Sequence, residues 1–263
     1  MKKPFWLMFF LLASGYMPAQ GGKLLMIDDV INLHWQAIEK DGIHRYYLDL
    51  RSEDIYDCAN YRIECDFDFS PGEDKVEIRV RGIALNGPCL PGLGPAAALI
   101  DLTPVPGGTY KLKLVYKQYD PFIGELKISG TDLNITMEKA GIFVLGNPQL
   151  RKIPADLVWG RIEYKERPLK VEADHFLSDL TNEGAQVNNL RPGDYGLFYL
   201  REKGIQTELP AENGGYVLPF AYHYTGDPVR IRLLIKMYAD RFGDDLRISF
   251  FTADGKSYLS WNL

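Results

Sequence analysis

The segment YRIECDFDF, Tyr61 to Phe69, alternates without a break. Tyr61, Ile63, Cys65, Phe67 and Phe69 fall on one face, with Arg62, Glu64, Asp66 and Asp68 on the other. After the turn residues SPGED, KVEIRVR repeats the pattern with Val76, Ile78 and Val80 inward. Side chains alternate with period two only on a strand, so the pair predicts a half-buried antiparallel hairpin. Partners across it must share a face, which limits the register. One consistent register sets Asp66 opposite Arg79, Glu64 opposite Arg81 and Cys65 opposite Val80. The acidic stripe Glu64, Asp66 and Asp68 then faces Lys75, Arg79 and Arg81. Opposed charges on a solvated sheet account for these carboxylates without a metal.

The same register constrains the cysteines, of which the chain has three: Cys58, Cys65 and Cys89. Residue 58 falls opposite residue 87 at the open end of the hairpin, placing Cys58 and Cys89 in neighbouring loops. A Cys58–Cys89 disulfide is expected, with Cys65 a buried free thiol acting as a small hydrophobe. Cys65–Cys89 is the alternative pairing.

A disulfide needs an oxidising compartment, and the N-terminus supplies a route to one. MKKPFWLMFFLLASGYMPAQ has Lys2 and Lys3, then an apolar core from Phe5 to Ala13, then small residues, in the order of a secretory signal over residues 1–19. Cleavage fits after Gly15 or after Ala19. The apolar run is too short for a stable transmembrane helix. No later stretch is apolar enough to span a bilayer, so no integral membrane segment is expected in the mature chain. The protein is expected to be exported, to the periplasm, the cell surface or beyond. Its formal charge is −5, becoming −7 when the leader lysines are removed. With no basic run, nucleic acid and anionic lipid are poor partners.

β signals continue along the chain. Candidate strands begin at Ile43, Ala96, Tyr110, Gly124 and Leu133, separated by the Pro- and Gly-rich loops NGPCLPGLGP and TPVPGG. Many short strands with turn signals indicate a sandwich or barrel. A first domain over 23–137, a connection over 138–156 and a second β domain over 157–263 are expected. In the second, LVWGRIEY, LKVEA, YGLFYL, GGYVLPFAYHY, PVRIRLLIKMY and DLRISFFTADGKSYLSW are candidate strands, and Asp254-Gly255 marks a hairpin turn. Residues 174–190 hold a short helix or an irregular loop.

VPGGTYKLKL, Val105 to Leu114, and LRPGDYGLFYL, Leu190 to Leu200, share Gly-x-Tyr-x-Leu: Gly108, Tyr110 and Leu112 against Gly193, Tyr195 and Leu197. The first copy follows a strand through a Pro-Gly corner. It resembles the tyrosine corner of immunoglobulin-like and fibronectin type III sandwiches, where a Tyr hydroxyl bonds backbone a few residues upstream. Leu112 stands where antibody domains carry their second cysteine, so no inter-sheet disulfide of that type is implied. The resemblance implies scaffolding, and an all-β chain of two antiparallel immunoglobulin-like sandwiches in tandem. In the second copy, Tyr195 would pin the bend and Leu197 would begin an inward row.

Catalytic signals are sparse. His34, His44, His175 and His223 lack metalloprotease or zinc spacing, and no Gly-x-Ser-x-Gly elbow is present. Asp174–His175 and His223 near Asp227 are the pairs to consider as bases, and surface histidines explain both. The acidic loop DRFGDDL lacks EF-hand spacing. No catalytic residue, cofactor or metal is expected. The remaining feature is aromatic: Tyr222, His223 and Tyr224 before the turn TGDP, with Tyr258 and Trp261 near the C-terminus. Exposed rings beside polar groups can stack on sugars. The expectation is an exported non-catalytic β-sandwich protein acting in binding or cell-surface interaction, with a protein or glycan ligand. A carbohydrate-binding protein using those five residues is the alternative, and a hydrolase with unidentified acidic residues a third.

Overall fold

The computed structural model describes residues 24–28, 30–40, 43–201, 204–206 and 215–263, and the stretch 1–19 expected as a leader lies outside them. The larger sheet contains β1 (Ile31–Lys40), β2 (Ile43–Cys58), β3 (Tyr61–Ser70), β4 (Lys75–Leu85), β5 (Pro91–Asp101), β6 (Gly108–Tyr116), β7 (Phe122–Ile128), β8 (Asp132–Lys139), β9 (Phe143–Leu145) and β10 (Gln149–Arg151). Their order is β10-β8-β7-β6-β4-β3-β5-β2-β1-β9. β3 and β5 meet at a single pair, Arg62 with Ala97. On either side of that seam the sheet curls over one core: Leu33, Leu48 and Leu50 pack in the same cluster as Ile78, Leu112 and Leu114.

The sheet is mixed, because β1/β9, β3/β5 and β4/β6 run parallel. This departs from the purely antiparallel arrangement expected. Residues 138–156, expected as a connection, contribute the strands β9 and β10 at the two ends of the sheet.

The hairpin forms as β3 and β4, with Cys65 opposite Val80 and Asp66 opposite Arg79. A bulge between Glu64 and Cys65 moves Glu64 opposite Gly82, so Arg81 is not its partner but pairs with Asp66. Glu77 receives Lys75 at 2.8 Å and Arg79 at 2.9 Å, which hold its carboxyl down to about 2. Phe67, expected inward, is 39% exposed, because β5 flanks β3 only near Arg62. Cys58 and Cys89 are bonded, with Cα atoms 5.3 Å apart. Cys65 is free and half-buried rather than fully enclosed.

The rest of the chain is not a second sandwich. It contains β11 (Leu157–Tyr164), α1 (Lys170–Asn182), β12 (Gln186–Val187), β13 (Gly193–Asp194), β14 (Tyr199–Arg201), β15 (Gly204–Gln206), β16 (Tyr216–His223), α2 (Pro228–Phe242), β17 (Leu246–Thr252) and β18 (Ser257–Leu259). A five-stranded sheet, β12-β16-β11-β17-β18, carries both helices on one face. PVRIRLLIKMY, expected as a strand, is α2. Its buried residues Ile231, Leu234, Ile235 and Tyr238 follow helical spacing. Asp227 caps the helix by accepting from the Val229 amide at 2.9 Å, and Pro228 occupies the first turn. LKVEA, likewise expected extended, runs from the end of a 3-10 turn at Arg167–Leu169 into α1, whose buried residues are Ala173, Phe176 and Leu180.

Both faces of the five-stranded sheet are covered. Opposite the helices, Trp159 and Ala221 pack with Tyr195, Phe198 and Leu200. This explains why LVWGRIEY in β11 is buried almost throughout, with Arg161 and Glu163 paired to each other at 2.7 Å.

The two tyrosine motifs make the same bond. Tyr110 donates to the Pro106 carbonyl at 2.9 Å, and Tyr195 donates to the Arg191 carbonyl at 3.0 Å. Leu112 is buried, whereas Leu197 is 42% exposed and starts no inward row; Phe198 takes that place. The second corner feeds the small sheet β13-β14-β15. At Gly196, with φ of 77°, an added Cβ would stand 2.5 Å from the Ala37 Cβ, so β1 and this corner touch where only glycine fits. No helix among the described residues is long and apolar enough to cross a membrane.

Candidate functional site

β11 runs antiparallel between β16 and β17. Its first residues therefore lie beside the last residues of both neighbours. At this end of the sheet the chain leaves β16 for α2, and leaves β17 for the turn into β18. These three segments enclose a cavity of about 210 Å³. Asp156 and Leu157 line it from the start of β11, Tyr224 and Pro228 from the approach to α2, and Thr252, Asp254 and Tyr258 from the β17–β18 hairpin.

The polar groups here are held in place. The Tyr224 amide donates to the Asp156 carbonyl at 2.8 Å, and the Tyr224 hydroxyl donates to the Asp227 carbonyl at 2.9 Å. Burial pushes the Tyr224 hydroxyl above the usual tyrosine range, aided by the negative charges of Glu183 and Asp227. The Asp156 carboxylate lies 3.1 Å from His223 Nδ1. Asp254 is bonded by Lys256 and, at 2.5 Å, by the Thr252 hydroxyl. Those two donors hold the Asp254 carboxyl below its usual range. It is thus an acceptor at neutral pH and not a proton donor. Tyr258 stands edge-on to Phe250, with ring centroids 6.2 Å apart, which fixes its orientation. The arrangement offers an aromatic wall, the Thr252 hydroxyl and the Asp254 carboxylate around a space closed below by apolar side chains, with the Asp156 carboxylate engaged by His223.

Of the five sequence-derived residues, Tyr224 and Tyr258 share this cavity. His223 points the other way along the strand and bridges Asp156 and Asn189, the latter at 3.3 Å. Its expected neighbour Asp227 is engaged in capping α2. Tyr222 lines a second, more open cleft of about 560 Å³ along β16, with Asn188, Leu200 and Pro219 among its other walls. Trp261 lines neither; it is 44% exposed under the Arg247 guanidinium, 5.7 Å from the ring. The pair Asp174–His175 is dispersed on α1, with Asp174 bonded to Lys170 at 2.7 Å and His175 3.4 Å from Glu172. In DRFGDDL, Asp240 is bonded to Lys236, Asp244 to Arg247 and Asp245 to Lys165. Among the described residues no group of three or more His, Cys, Asp or Glu is placed to hold a metal.

Sequence reasoning missed Asp156 and Asp254 as site residues. Asp156 ends the segment expected as a connection, and Asp254 was legible only as a turn residue. What joins them is the antiparallel placement of β11 against β17, a long-range pairing no local pattern encodes. Comparison with protein-family models, with curated proteins and with solved structures finds no match for this chain.

Proposed function

We propose that this is an exported, non-catalytic protein that acts by binding, at the cell surface or outside the cytoplasmic membrane, and that its ligand is a glycan. The carrying observation is the convergence of Tyr224, Tyr258, Thr252, Asp156 and Asp254 on one cavity of about 210 Å³. Sugars present an apolar face and a rim of hydroxyls, and ordered tyrosines beside a carboxylate such as Asp254 complement both. The volume suits one terminal sugar residue more than a run of polymer. Export is supported by the leader sequence together with the Cys58–Cys89 bond. The corner at Tyr110 supports reading the larger sheet as an immunoglobulin-like scaffold that presents the smaller one.

Titration calorimetry against a panel of oligosaccharides tests the assignment. Binding lost in Tyr258→Ala and Asp254→Ala, but kept in Trp261→Ala, is the expected result. Wild-type protein that binds no sugar, or binding indifferent to both site variants, overturns it. A protein ligand is the second reading, favoured by the larger, more open cleft of mixed polar and apolar lining along β16.

A further inference from the structure

The loop joining β4 to β5 and the first residues of β5 form an apolar tip. Leu93 is 83% exposed, Leu90 59%, and Ile55 on the adjoining strand 60%. The disulfide crosses the base of this tip. Asn60 braces it three times: its Nδ2 donates to the Asn86 carbonyl at 2.7 Å and the Pro88 carbonyl at 2.8 Å, and its Oδ1 accepts from the Leu90 amide at 2.9 Å. A covalent bond and three side-chain bonds thus hold the segment that carries Leu90 and leads into Leu93, which suits a surface preorganised for contact. The tip is also acidic. Glu53, Asp54 and Asp57 are exposed around it, and neither 52–61 nor 82–110 contains a lysine or arginine.

The opposite character appears on the outer face of α2. Val229, Leu233 and Met237 recur every four residues and are 59%, 62% and 54% exposed, although the helix already buries a separate stripe. Arg230, Arg232, Lys236 and Arg241 flank them; Arg230 also reaches Glu183 at 3.3 Å, Lys236 reaches Asp240 at 2.9 Å and Arg241 lies 3.7 Å from Glu172, so the face is basic but partly paired. Since tip and stripe are both exposed, neither covers the other within one chain.

We infer that the Leu90–Leu93 tip of one copy docks on the Val229–Leu233–Met237 face of α2 in a second copy. Apolar groups meet apolar groups, and the acidic rim meets the basic one, so the occupant follows from charge complementarity. Each molecule carries one of each surface, so a head-to-tail contact leaves a free tip and a free helix face, which add further copies until the rotation closes a ring.

Sedimentation velocity over rising concentration tests this. The expected result is a mass that grows past the dimer and falls as salt screens the charged rims. Leu93→Asp and Leu233→Asp should each be monomeric with unchanged circular dichroism. Mixed in equal amounts they should form dimers and stop there, since each retains the surface that the other lacks. A wild-type protein monomeric at millimolar concentration overturns the inference. So does a dimer that survives either variant, or a mixture that stays monomeric. Monomeric protein that sediments with phosphatidylcholine vesicles, unless Leu93 is changed to Asp, assigns the tip to a lipid surface and overturns it too.

Discussion

Asp132 and Arg191 meet at 2.7 Å, and the contact ties β8 of the larger sheet, next to its edge strand β10, to the corner that leads into β13 and β14. Arg151 reaches the same carboxylate, also at 2.7 Å, and Thr131 adds a hydroxyl bond. The carbonyl of Arg191 meanwhile accepts from Tyr195. One arginine therefore binds the first sheet with its side chain and the second tyrosine corner with its backbone. Asp132 is 8% exposed. Burial alone would raise its carboxyl, but the Thr131 hydroxyl and the two guanidinium groups outweigh that and hold it below the ordinary range.

Replacing Asp132 by Asn should destabilise the protein by about 2 kcal/mol, the range for losing charge-assisted hydrogen bonds at a half-dry site. Urea unfolding at neutral pH measures it. The lowered carboxyl also fixes the sign of the pH dependence. Its stabilisation is complete above the ordinary Asp range and is lost as pH falls through the lowered value in the folded state. Asp132→Asn should flatten that acid limb, and an unchanged limb would remove Asp132 from the account.

The two corner hydroxyls should behave alike. Tyr110→Phe and Tyr195→Phe each remove one donor to a backbone carbonyl and should each cost about 1 kcal/mol, with ligand binding intact. A variant that unfolds normally but fails to bind would make its tyrosine part of a site instead of a corner.

Those corners also show what the sequence could carry. Gly-x-Tyr-x-Leu specified a local bond from Tyr to the carbonyl four residues back, and that bond forms twice. It did not specify the fold around it, because the packing that defines a sandwich is set by distant strands. The β3–β4 hairpin was legible since its period-two pattern is uninterrupted and its cross-strand partners are local. The disulfide followed from that register. α2 was misread because Val229, Ile231 and Leu233 also alternate with arginines. Asp227-Pro228 ahead of the run and Gly243 behind it are the helix signals that arbitrate. Ile231, Leu234, Ile235 and Tyr238 satisfy the helical period at the same time. The cavity at Tyr224 and Tyr258 was half legible: the aromatics stood out, while the carboxylates depended on the pairing of β11 with β17.

The cysteines give a third prediction. Cys58 and Cys89 are separated by 31 residues. Loop closure over that length makes their bond worth about 3–4 kcal/mol against the unfolded chain, so Cys58→Ser with Cys89→Ser should lower stability by that order. Cys65 should stay unmodified by iodoacetamide in the folded protein. Burial, then the carboxylates of Glu64 and Asp66, push its thiol up to about 12, which leaves almost no thiolate at pH 8. Rapid native-state alkylation of Cys65 would contradict this.

His44 gives the last prediction. It lies against Trp159, with ring centroids 6.2 Å apart, where β2 meets β11. Burial lowers its pKa below 6.5, against weaker opposition from the Ala253 backbone and the Glu39 carboxylate. The folded state then binds fewer protons than the unfolded chain in the interval just below pH 6.5. Stability must rise with pH through that interval and level off above it. His44→Phe keeps the aromatic contact and removes the titration, so its stability should no longer fall as pH drops from 6.5. Thermal unfolding of both proteins between pH 5 and pH 7 reads the difference. Parallel curves would show that His44 does not titrate across the transition, and that the burial of its ring at Trp159 carries no charge penalty.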